Sequence, residues 1–301
     1  MTLKHVTVAG DAMPVRLDRF AQAVLAGVSR RLVHQLIAEG AVRVNGRAGR
    51  KGDLVHPGDR VVLPDLPELA PNPALACRVL HVDEQLVALQ KPGGLPSVPL
   101  DPRERETAAN FLLAHFPDLR RVGDPHTCGL AHRLDTGTSG LLVAARDAAT
   151  HDALRRAFAT GRVRKRYLAV VRGRLTARLD LAAPLAHVPG DPGRMRPARP
   201  AERAWPARTI VTPLRPLDDA TLVCAVIRTG VTHQIRVHLA HAGHAVLGDT
   251  RYGERHAGLP AGQHALHAAE LHLPPLGGGP PRRLGSAPPA VFVRLIETAQ
   301  G

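Results

Sequence analysis

One carboxylate stands out in the sequence because of the residues around it. Asp135 follows His132 and Arg133 and precedes the small-residue run TGTSG (136–140), after which an apolar segment begins. A loop that ends at a strand can hold a side chain at a cleft, and its glycines let a ligand backbone approach closely. An ionised carboxylate in such a place can act as a nucleophile or as a general base. The pattern alone also allows a structural role, in which Asp135 caps a turn and pairs with Arg133.

A second group of candidates lies further along the chain. His233 and Arg236 are three residues apart, so they share one face of a helix. The sequence predicts that Thr232 caps this helix and that Gly243 ends it. A cation near a helix N-terminus opposes the helix dipole by about 0.3 to 1 kcal/mol unless an anion faces it. Asp135 or a phosphate of the substrate could be that anion.

The sequence carries no motif for a nucleotide cofactor and no readable metal site. Neither a phosphate-binding loop nor a glycine-rich dinucleotide motif follows any predicted strand. Eight of the 17 histidines lie between His233 and His272, but no H-E-x-x-H motif or Cys partner accompanies them, which favours surface and core histidines over metal ligands. The cysteines Cys77, Cys128 and Cys224 are far apart, which favours buried thiols over a zinc site or a disulfide. We therefore expect chemistry without a metal or other cofactor.

The charge balance indicates a polyanionic partner. Forty Lys and Arg residues against 26 Asp and Glu residues give a net charge of +14. Codon bias can exchange Lys for Arg, but it does not create this excess of cations. Only 3% of the residues are aromatic, so binding of nucleic acid must rest on charge and shape rather than on paired aromatic strands. With no apolar run of membrane length and no apolar signal core, the sequence predicts a cytoplasmic protein.

The chain is expected to contain two domains. Its 301 residues suffice for about two domains. Residues 64–77 are rich in Pro and lack a periodic apolar pattern, which predicts a linker. This linker would separate a small domain, residues 1–63, from a large domain, residues 78–301.

The small domain is predicted to hold two helices and a basic turn. Apolar spacing indicates a helix from Val15 to Ala26 and another that begins after Ser29 and ends at Gly40. Residues 42–46 are then predicted as a short strand that leads into an Asn-Gly turn, and residues 59–63 as another strand. Basic residues on such helices are in many proteins only a solvated face. The order of elements, however, resembles the alpha-L RNA-binding module first recognised in a ribosomal small-subunit protein. The resemblance implies that six residues dock RNA: Arg19, Arg30, Arg31, Arg43, Arg47 and Lys51.

The large domain mixes strands and helices without regular alternation, which favours an α+β fold over a doubly wound sheet. A helix is predicted from a cap at Thr150 to Gly161. The Pro- and Gly-rich segments 184–200 and 274–289 are predicted to be loops. Strands are predicted at residues 78–83, 85–90, 140–145, 165–171 and 220–227.

Several motifs of the large domain resemble those of the RluA-type pseudouridine synthases. They are, in order, KPGGLPSVP (91–99), HRLDTGTSGLLVAAR (132–146), KRYLAVVRG (165–173), RTGVTHQIRVHLAHAGHAVLGDTRYG (228–253) and ALHAAELHL (265–273). The combination of HRLD-x-x-TSG with THQIRVH is highly specific for that family. The resemblance implies a mixed, mainly antiparallel β-sheet with flanking helices and a central cleft, and an activity that isomerises uridines in RNA.

The same resemblance implies roles for individual residues. Asp135 would be the catalytic carboxylate, Arg236 would pair with it, and Tyr167 would lie against the target base as the candidate for proton transfer. Arg133 would fill the space left by the flipped-out uridine. Without the family, Tyr167 would be predicted as a core residue of a strand. Other residues of these motifs are expected to bind substrate: His132, Thr138, His233 and Gln234.

Two departures from the family pattern concern RNA contacts and substrate choice. Val231 stands where the family usually has Arg, and Thr136 with Gly137 replace the usual Lys-Asp pair. The expected substrate is structured RNA, above all large-subunit ribosomal RNA, with transfer RNA as the alternative. A non-catalytic, ribosome-associated RNA-binding protein is opposed by the intact HRLD motif together with Tyr167 and Arg236. A glycoside hydrolase would need a second acid near Asp135, and these motifs offer none.

Overall fold

In a computed structural model the chain divides into two compact units, one formed by Met1–Pro73 with Val98–Cys128 and the other by Ala74–Ser97 with Gly129–Gly301. The structure describes residues 2–10, 13–25 and 28–298. No helix among these residues combines the length and the apolar character needed to cross a membrane.

The first unit contains a four-stranded sheet of order β1-β6-β3-β4, a two-stranded sheet of β2 and β5, and three α-helices. Residues Pro117–Arg121 form a short 3₁₀ helix. The elements are β1 (Leu3–Thr7), β2 (Val15–Arg16), α1 (Leu17–Val24), α2 (Arg30–Ala38), β3 (Arg43–Val44), β4 (Arg47–Ala48), β5 (Leu54–Val55), β6 (Arg60–Pro64) and α3 (Ala108–His115).

The second predicted helix is confirmed with its cap. The Ser29 hydroxyl accepts a hydrogen bond from the Leu32 N–H at 3.2 Å, and the apolar stripe of α2 is buried in the core of the first unit. Helix α1 begins two residues later than predicted because Val15 pairs with Val55 as a strand. Its predicted last residue, Ala26, lies outside the described residues.

Residues that the sequence assigns to a linker and to the large domain pack together in the first unit. The Asn110 side chain in α3 donates to the carbonyl of Ala70 at 2.7 Å, and the Asn72 N–H donates to the carbonyl of Asn110 at 3.0 Å. Leu69 is buried, and its carbonyl accepts from Arg120. The Pro-rich segment is therefore bound to α3 by one backbone and one side-chain hydrogen bond, an arrangement that composition alone does not indicate.

The second unit is built on a nine-stranded sheet of order β11-β14-β15-β10-β16-β9-β8-β7, with β17 also paired to β16. Every named pair is antiparallel except β9 with β16, which confirms the predicted mixed, mainly antiparallel α+β fold. The elements are β7 (Arg78–Val82), β8 (Leu86–Lys91), β9 (Ser139–Ala145), α4 (Ala148–Ala159), β10 (Arg164–Arg172), β11 (Leu179–Leu181), β12 (Leu185–Val188), β13 (Asp191–Pro197), β14 (Thr209–Pro216), β15 (Ala220–Ile227), α5 (Gln234–His241), β16 (Leu266–Leu273), β17 (Arg282–Gly285) and α6 (Ala290–Thr298).

Both predicted helix caps in this unit are wrong by one position or more. Helix α4 is capped by Asp147, whose carboxylate accepts from the N–H and the hydroxyl of Thr150, so Thr150 is the third helical residue. The N-cap of α5 is His233 rather than Thr232, and its backbone is left-handed at φ 56°. Left-handed geometry at a histidine costs energy and marks a place where the surroundings determine the conformation.

The two segments predicted as loops contain strands. Residues 184–200 include the hairpin of β12 and β13, and residues 274–289 include β17. Leu185 and Met195 anchor the hairpin in a small apolar core. The burial of these two side chains stabilises the strands although the surrounding Pro and Gly residues favour a loop.

Candidate active site

A cleft of about 890 Å³ opens in the second unit. Its walls come from the segment before β9, from strand β10 and from the start of α5. Residues of motifs that are distant in the sequence therefore lie together in this cleft. All the predicted catalytic and substrate-binding residues line this cleft: His132, Arg133, Asp135, Thr138, Tyr167, His233, Gln234 and Arg236.

Asp135 lies in the turn that leads into β9, where the Thr138 N–H donates to its carbonyl at 3.0 Å. The side chain pairs with Arg236, whose Nη1 donates to Oδ2 at 2.8 Å. The expected pairing with Arg236 is thus present, and the alternative in which Arg133 pairs with Asp135 is wrong. The Arg133 side chain is exposed, and no other described residue forms a hydrogen bond or ion pair with it.

Arg236 is held by a second carboxylate that the sequence analysis does not single out. Its Nε and Nη2 donate to the two oxygens of Asp249 at 2.7 and 2.8 Å, a bidentate pair in which Asp249 is 1% exposed. The remaining nitrogen, Nη1, is thereby aimed at Asp135. A signal was available, since Asp249 is the single acidic residue of the motif 228–253.

The electrostatics keep Asp135 ionised. Burial of the carboxyl raises its pKa, but the charge of Arg236, the nearby His233 and the hydrogen bond from Arg236 lower it more, so the pKa lies below the ordinary value. For Arg236, burial lowers the pKa, but the hydrogen bonds and charges of Asp249 and Asp135 raise it by more, so the pKa lies above its ordinary value. At neutral pH the site therefore holds one cation between two carboxylates.

His233 lies near the same carboxylate oxygen as Arg236. Its Nε2 lies 4.0 Å from Oδ2 of Asp135, and its Nδ1 shares a hydrogen bond of 2.7 Å with the hydroxyl of Tyr252. Burial is the main cause of a lowered His233 pKa. The Tyr252 hydroxyl also accepts from the N–H of Met195 at 2.9 Å, which ties the β12–β13 hairpin to the site.

Tyr167 lies on β10 next to a register shift between Arg166 and Tyr167 in the pairing with β16. Such a bulge re-aims the side chain that follows it. The ring is buried while lining the cleft, and burial, then the charge of Asp135, raises the pKa of its hydroxyl. Tyr167 is therefore protonated at neutral pH and can give a proton only to a group that has become strongly basic.

Besides His233, three of the predicted substrate-binding side chains form hydrogen bonds inside the protein. The Thr138 hydroxyl bonds to Nε2 of His264 at 2.8 Å, and Nε2 of His132 accepts from the Val143 N–H at 3.1 Å. The Gln234 amide donates to the carbonyl of Arg208 and the hydroxyl of Thr209 and accepts from Thr229 and Val231. These bonds shape the cleft walls.

Two buried lysines next to the cleft were not among the predicted site residues. Lys91 is fully buried and donates to the carbonyls of Pro92, Leu95 and Thr136, the residue after Asp135. Burial lowers its pKa to about 7. Lys165 donates to the carbonyl of Thr229 at 2.7 Å, and burial lowers its pKa to about 8. Both lysines lie inside motifs quoted above, which was the available signal.

The described part of the chain contains no group of three or more His, Cys, Asp or Glu residues placed to hold a metal ion.

In the first unit, the six basic residues predicted to dock RNA all expose their side chains to solvent: Arg19, Arg30, Arg31, Arg43, Arg47 and Lys51.

Comparison with known proteins adds two family matches. Residues 85–241 match the model of the RNA pseudouridylate synthase family, and residues 15–61 match the S4 domain. Human RNA Pseudouridylate Synthase Domain Containing 4 has a similar structure, with a TM-score of 0.56 and 26% identity over 73% of this chain and 92% of that chain.

Similar sequences occur in distant bacteria. A protein of Chloroflexus aurantiacus named as an uncharacterized RNA pseudouridine synthase is 38% identical, over 86% of this chain and 81% of its own. The ribosomal large subunit pseudouridine synthase D of Zymomonas mobilis is 32% identical over 92% of each chain. The ribosomal large subunit pseudouridine synthase C of Salmonella typhi is 30% identical over 98% of this chain and 96% of its own.

Proposed function

The chain belongs to the RNA pseudouridylate synthase family and carries an N-terminal S4 domain, and from this premise we propose that it isomerises specific uridines of large-subunit ribosomal RNA with Asp135 as the catalytic carboxylate and without a cofactor. That it is an RNA pseudouridine synthase follows from the family. The substrate, the residue roles and the cofactor-free chemistry are the proposal. Its main support is the Asp135–Arg236–Asp249 arrangement at the cleft, in which Arg236 and Asp249 are buried.

The reaction needs only what this cleft offers. Uridine and pseudouridine are isomers, so the glycosidic carbon–nitrogen bond breaks, the base turns, and carbon 5 of the base joins the sugar while a proton moves from carbon 5 to nitrogen. No electron donor or acceptor is required. An ionised Asp135 can attack the sugar, attack the base or remove a sugar proton, and these routes stay open.

Other side chains would serve the same reaction. Tyr167, buried beside Asp135, is our candidate for the proton transfer: its hydroxyl would give a proton to the ring nitrogen released from the sugar, and the resulting phenolate would take the proton from carbon 5. Arg236 would stabilise the carboxylate. The target must leave its stack, at a cost of a few kcal/mol that is least in a loop. The exposed and unpaired side chain of Arg133 is suited to occupy the vacated space.

Two relatives named for the ribosomal large subunit match nearly the whole of this chain, and this favours ribosomal RNA over transfer RNA. We propose that residues 1–63 dock the RNA and that residues 78–301 carry out the chemistry, in the cytoplasm where ribosomal RNA is made. A non-catalytic RNA-binding role is disfavoured because Asp135, Tyr167 and Arg236 all line one cleft.

The direct test measures tritium released from RNA that carries tritium at carbon 5 of its uridines. Purified protein is incubated separately with protein-free large-subunit ribosomal RNA and with transfer RNA, and the modified positions are then mapped. Release from ribosomal RNA at one or a few positions is expected. Release from transfer RNA alone would overturn the substrate, and release from neither RNA would overturn the proposal as a whole.

Activity is expected to withstand removal of divalent metal ions. With RNA folded in monovalent salt and excess chelator present, the initial rate should stay within about twofold of the untreated rate, because neither the reaction nor the proposed residues call for a metal. RNA folding is monitored in the same buffer as a control. Loss of activity that zinc restores, and that magnesium does not, would contradict this expectation.

The basic residues of the first unit should govern RNA affinity and its salt dependence. Replacing Arg31, Arg43 and Arg47 together with Gln should weaken binding about tenfold or more and flatten the slope of log K against log salt by up to about 0.9 per lost phosphate contact. The rate at saturating RNA should change less than about twofold, because the substitutions leave the cleft intact.

The matched control places Lys at the same three positions, which keeps the charge and should keep the salt slope. Filter binding at several salt concentrations and initial rates against RNA concentration are measured for both sets. An unchanged salt slope in the Gln set, or a loss of turnover at saturating RNA, would show that these residues do not serve as a separate docking surface.

A further inference from the structure

The single tryptophan of the chain is exposed at the cleft. Trp205 is 43% exposed and lines the same cleft as Asp135 and Tyr167. Large aromatic side chains normally contribute to folding by being buried. A partly exposed indole beside an active site contributes less to the stability of the fold than a buried one would, and the mechanism proposed above does not use it.

The backbone that carries this ring is held firmly. Trp205 and Leu185 exchange two backbone hydrogen bonds, of 2.8 and 3.0 Å, in an isolated bridge next to the β12–β13 hairpin. Leu185, Met195, Ala207 and Val237 form the small buried core beneath them. The indole is thus exposed on a positioned backbone rather than on a loose loop, which reduces the entropy that a ligand must remove on binding.

A second exposed ring stands beside the first. The imidazole of His187, on β12, lies 5.2 Å from the indole between ring centroids, with the two planes at 83°. In an edge-to-face contact at most one face of one ring is covered by the other. The contact therefore leaves an aromatic face that His187 does not cover, on a ring that is exposed and lines the cleft.

The charge around the pair suits a nucleic acid. Residues 185–208 contain five arginines and only two acidic residues. Arg199 and Arg203 expose their side chains, and Arg194 is exposed with its guanidinium 5.9 Å from the centre of the Tyr252 ring. Proteins that bind single-stranded RNA combine such basic surroundings with aromatic rings on which successive bases stack.

We propose that Trp205, oriented by His187, is a stacking platform for an unpaired nucleobase that adjoins the target uridine in the RNA strand. This rests on the proposed function, because it assumes that the cleft receives a uridine flipped out of RNA. A flipped nucleotide leaves its neighbours without one stacking partner, and an open aromatic face beside the cleft replaces that partner. Trp205 would then bind and position substrate without touching the reacting atoms.

The chain supplies its own probe, since Trp205 accounts for all tryptophan fluorescence. Wild-type protein is titrated with a hairpin RNA whose loop holds the mapped uridine, and with a fully paired duplex of the same length and charge. Binding is followed independently by filter retention, and absorption by the RNA is corrected with free N-acetyltryptophanamide. We expect strong quenching by the hairpin and little by the duplex at equal saturation. Equal quenching, or none with the hairpin bound, would overturn the platform.

A double-mutant cycle identifies the base that stacks. Trp205→Ala should weaken hairpin binding about tenfold, and an abasic nucleotide at the stacking position should weaken wild-type binding by a similar factor. The two changes together should still cost only about tenfold, because they remove the same contact. A hundredfold combined loss at every flanking position, or no loss in Trp205→Ala, would overturn the proposal.

Two further variants separate stacking from folding. Trp205→Phe keeps an aromatic face and should bind within about threefold of wild type. Leu214→Ala removes an equally exposed apolar side chain, 47% exposed on β14, and should bind like wild type. Failure of the proposed function would show as absence of tritium release by wild-type protein. Failure of the platform alone would leave tritium release intact but abolish the selective quenching.

Discussion

Replacing Asp135 with Asn is expected to abolish pseudouridine formation while leaving RNA affinity within about tenfold of wild type. The amide has the shape of the carboxylate but cannot act as a nucleophile or as a base, and Arg236 would lose the charge that it faces at 2.8 Å. RNA affinity comes mostly from phosphate contacts spread over the protein, so one neutral substitution in the cleft changes it little. We expect the single-turnover rate to fall by more than about 10³-fold.

Single-turnover tritium release and filter binding are measured on the same preparation of Asp135→Asn. The matched control is Asp152→Asn, the same chemical change at a side chain of α4 that is 69% exposed, and it should react at the wild-type rate. Measurable turnover in Asp135→Asn at a rate near wild type would remove Asp135 from the mechanism. Loss of RNA binding together with activity would assign this residue to substrate binding instead.

Local sequence signals were sufficient where the determining interactions are local. The α2 cap at Ser29, the apolar stripe behind it and the Asn45–Gly46 turn depend on residues a few positions apart, and each is found as predicted. Five of the nine strands of the large sheet, β7, β8, β9, β10 and β15, were predicted, and the signal was clearest in β9, which is continuously apolar and buried at every residue.

Features that depend on distant residues were missed for a physical reason. The β12–β13 hairpin depends on a small core that includes Val237 from α5, some forty residues away in sequence, while its own composition indicates a loop. The left-handed backbone of His233 occurs where its side chain bonds to Tyr252 and lies near the Asp135 carboxylate, residues that are distant in sequence.

The candidate site shows the same division. Motif order was enough to group Asp135, Tyr167 and Arg236, and the structure brings all three to one cleft. Asp249 could have been singled out as the single acidic residue of its motif, but its pairing with Arg236 could not be predicted, because an acid thirteen residues after an arginine pairs with it only if α5 and the following turn return the chain to the same place. The linker and the stretch around α3 differ from expectation for the same reason, since hydrogen bonds between distant segments leave no pattern in composition.

Replacing Asp249 with Asn should reduce the single-turnover rate by about 10² to 10³-fold while changing RNA affinity less than about threefold. Oδ1 of Asp249 also accepts from the N–H groups of Arg251 and Tyr252, and an Asn oxygen can keep these bonds. The substituted side chain cannot accept from both Nε and Nη2 of Arg236, because one of its two groups is now a donor. Removing one partner of a buried pair costs about 3 to 5 kcal/mol, so thermal unfolding should also shift downward.

The pH dependence distinguishes this positioning role from general damage to the fold. In wild type the charge of Arg236 outweighs burial and lowers the Asp135 pKa. The acid limb of the pH–rate profile, where the rate falls as Asp135 is protonated, therefore lies below the ordinary range of carboxyl pKa values. Once Arg236 is free to turn away from Asp135, burial dominates and the pKa of Asp135 rises, so the acid limb should move to higher pH. Glu254→Gln, at a carboxylate 72% exposed and paired with Arg172, is the control and should leave the limb in place. A slower variant with an unmoved acid limb would mean that Asp249 supports the fold without setting the charge state of Asp135.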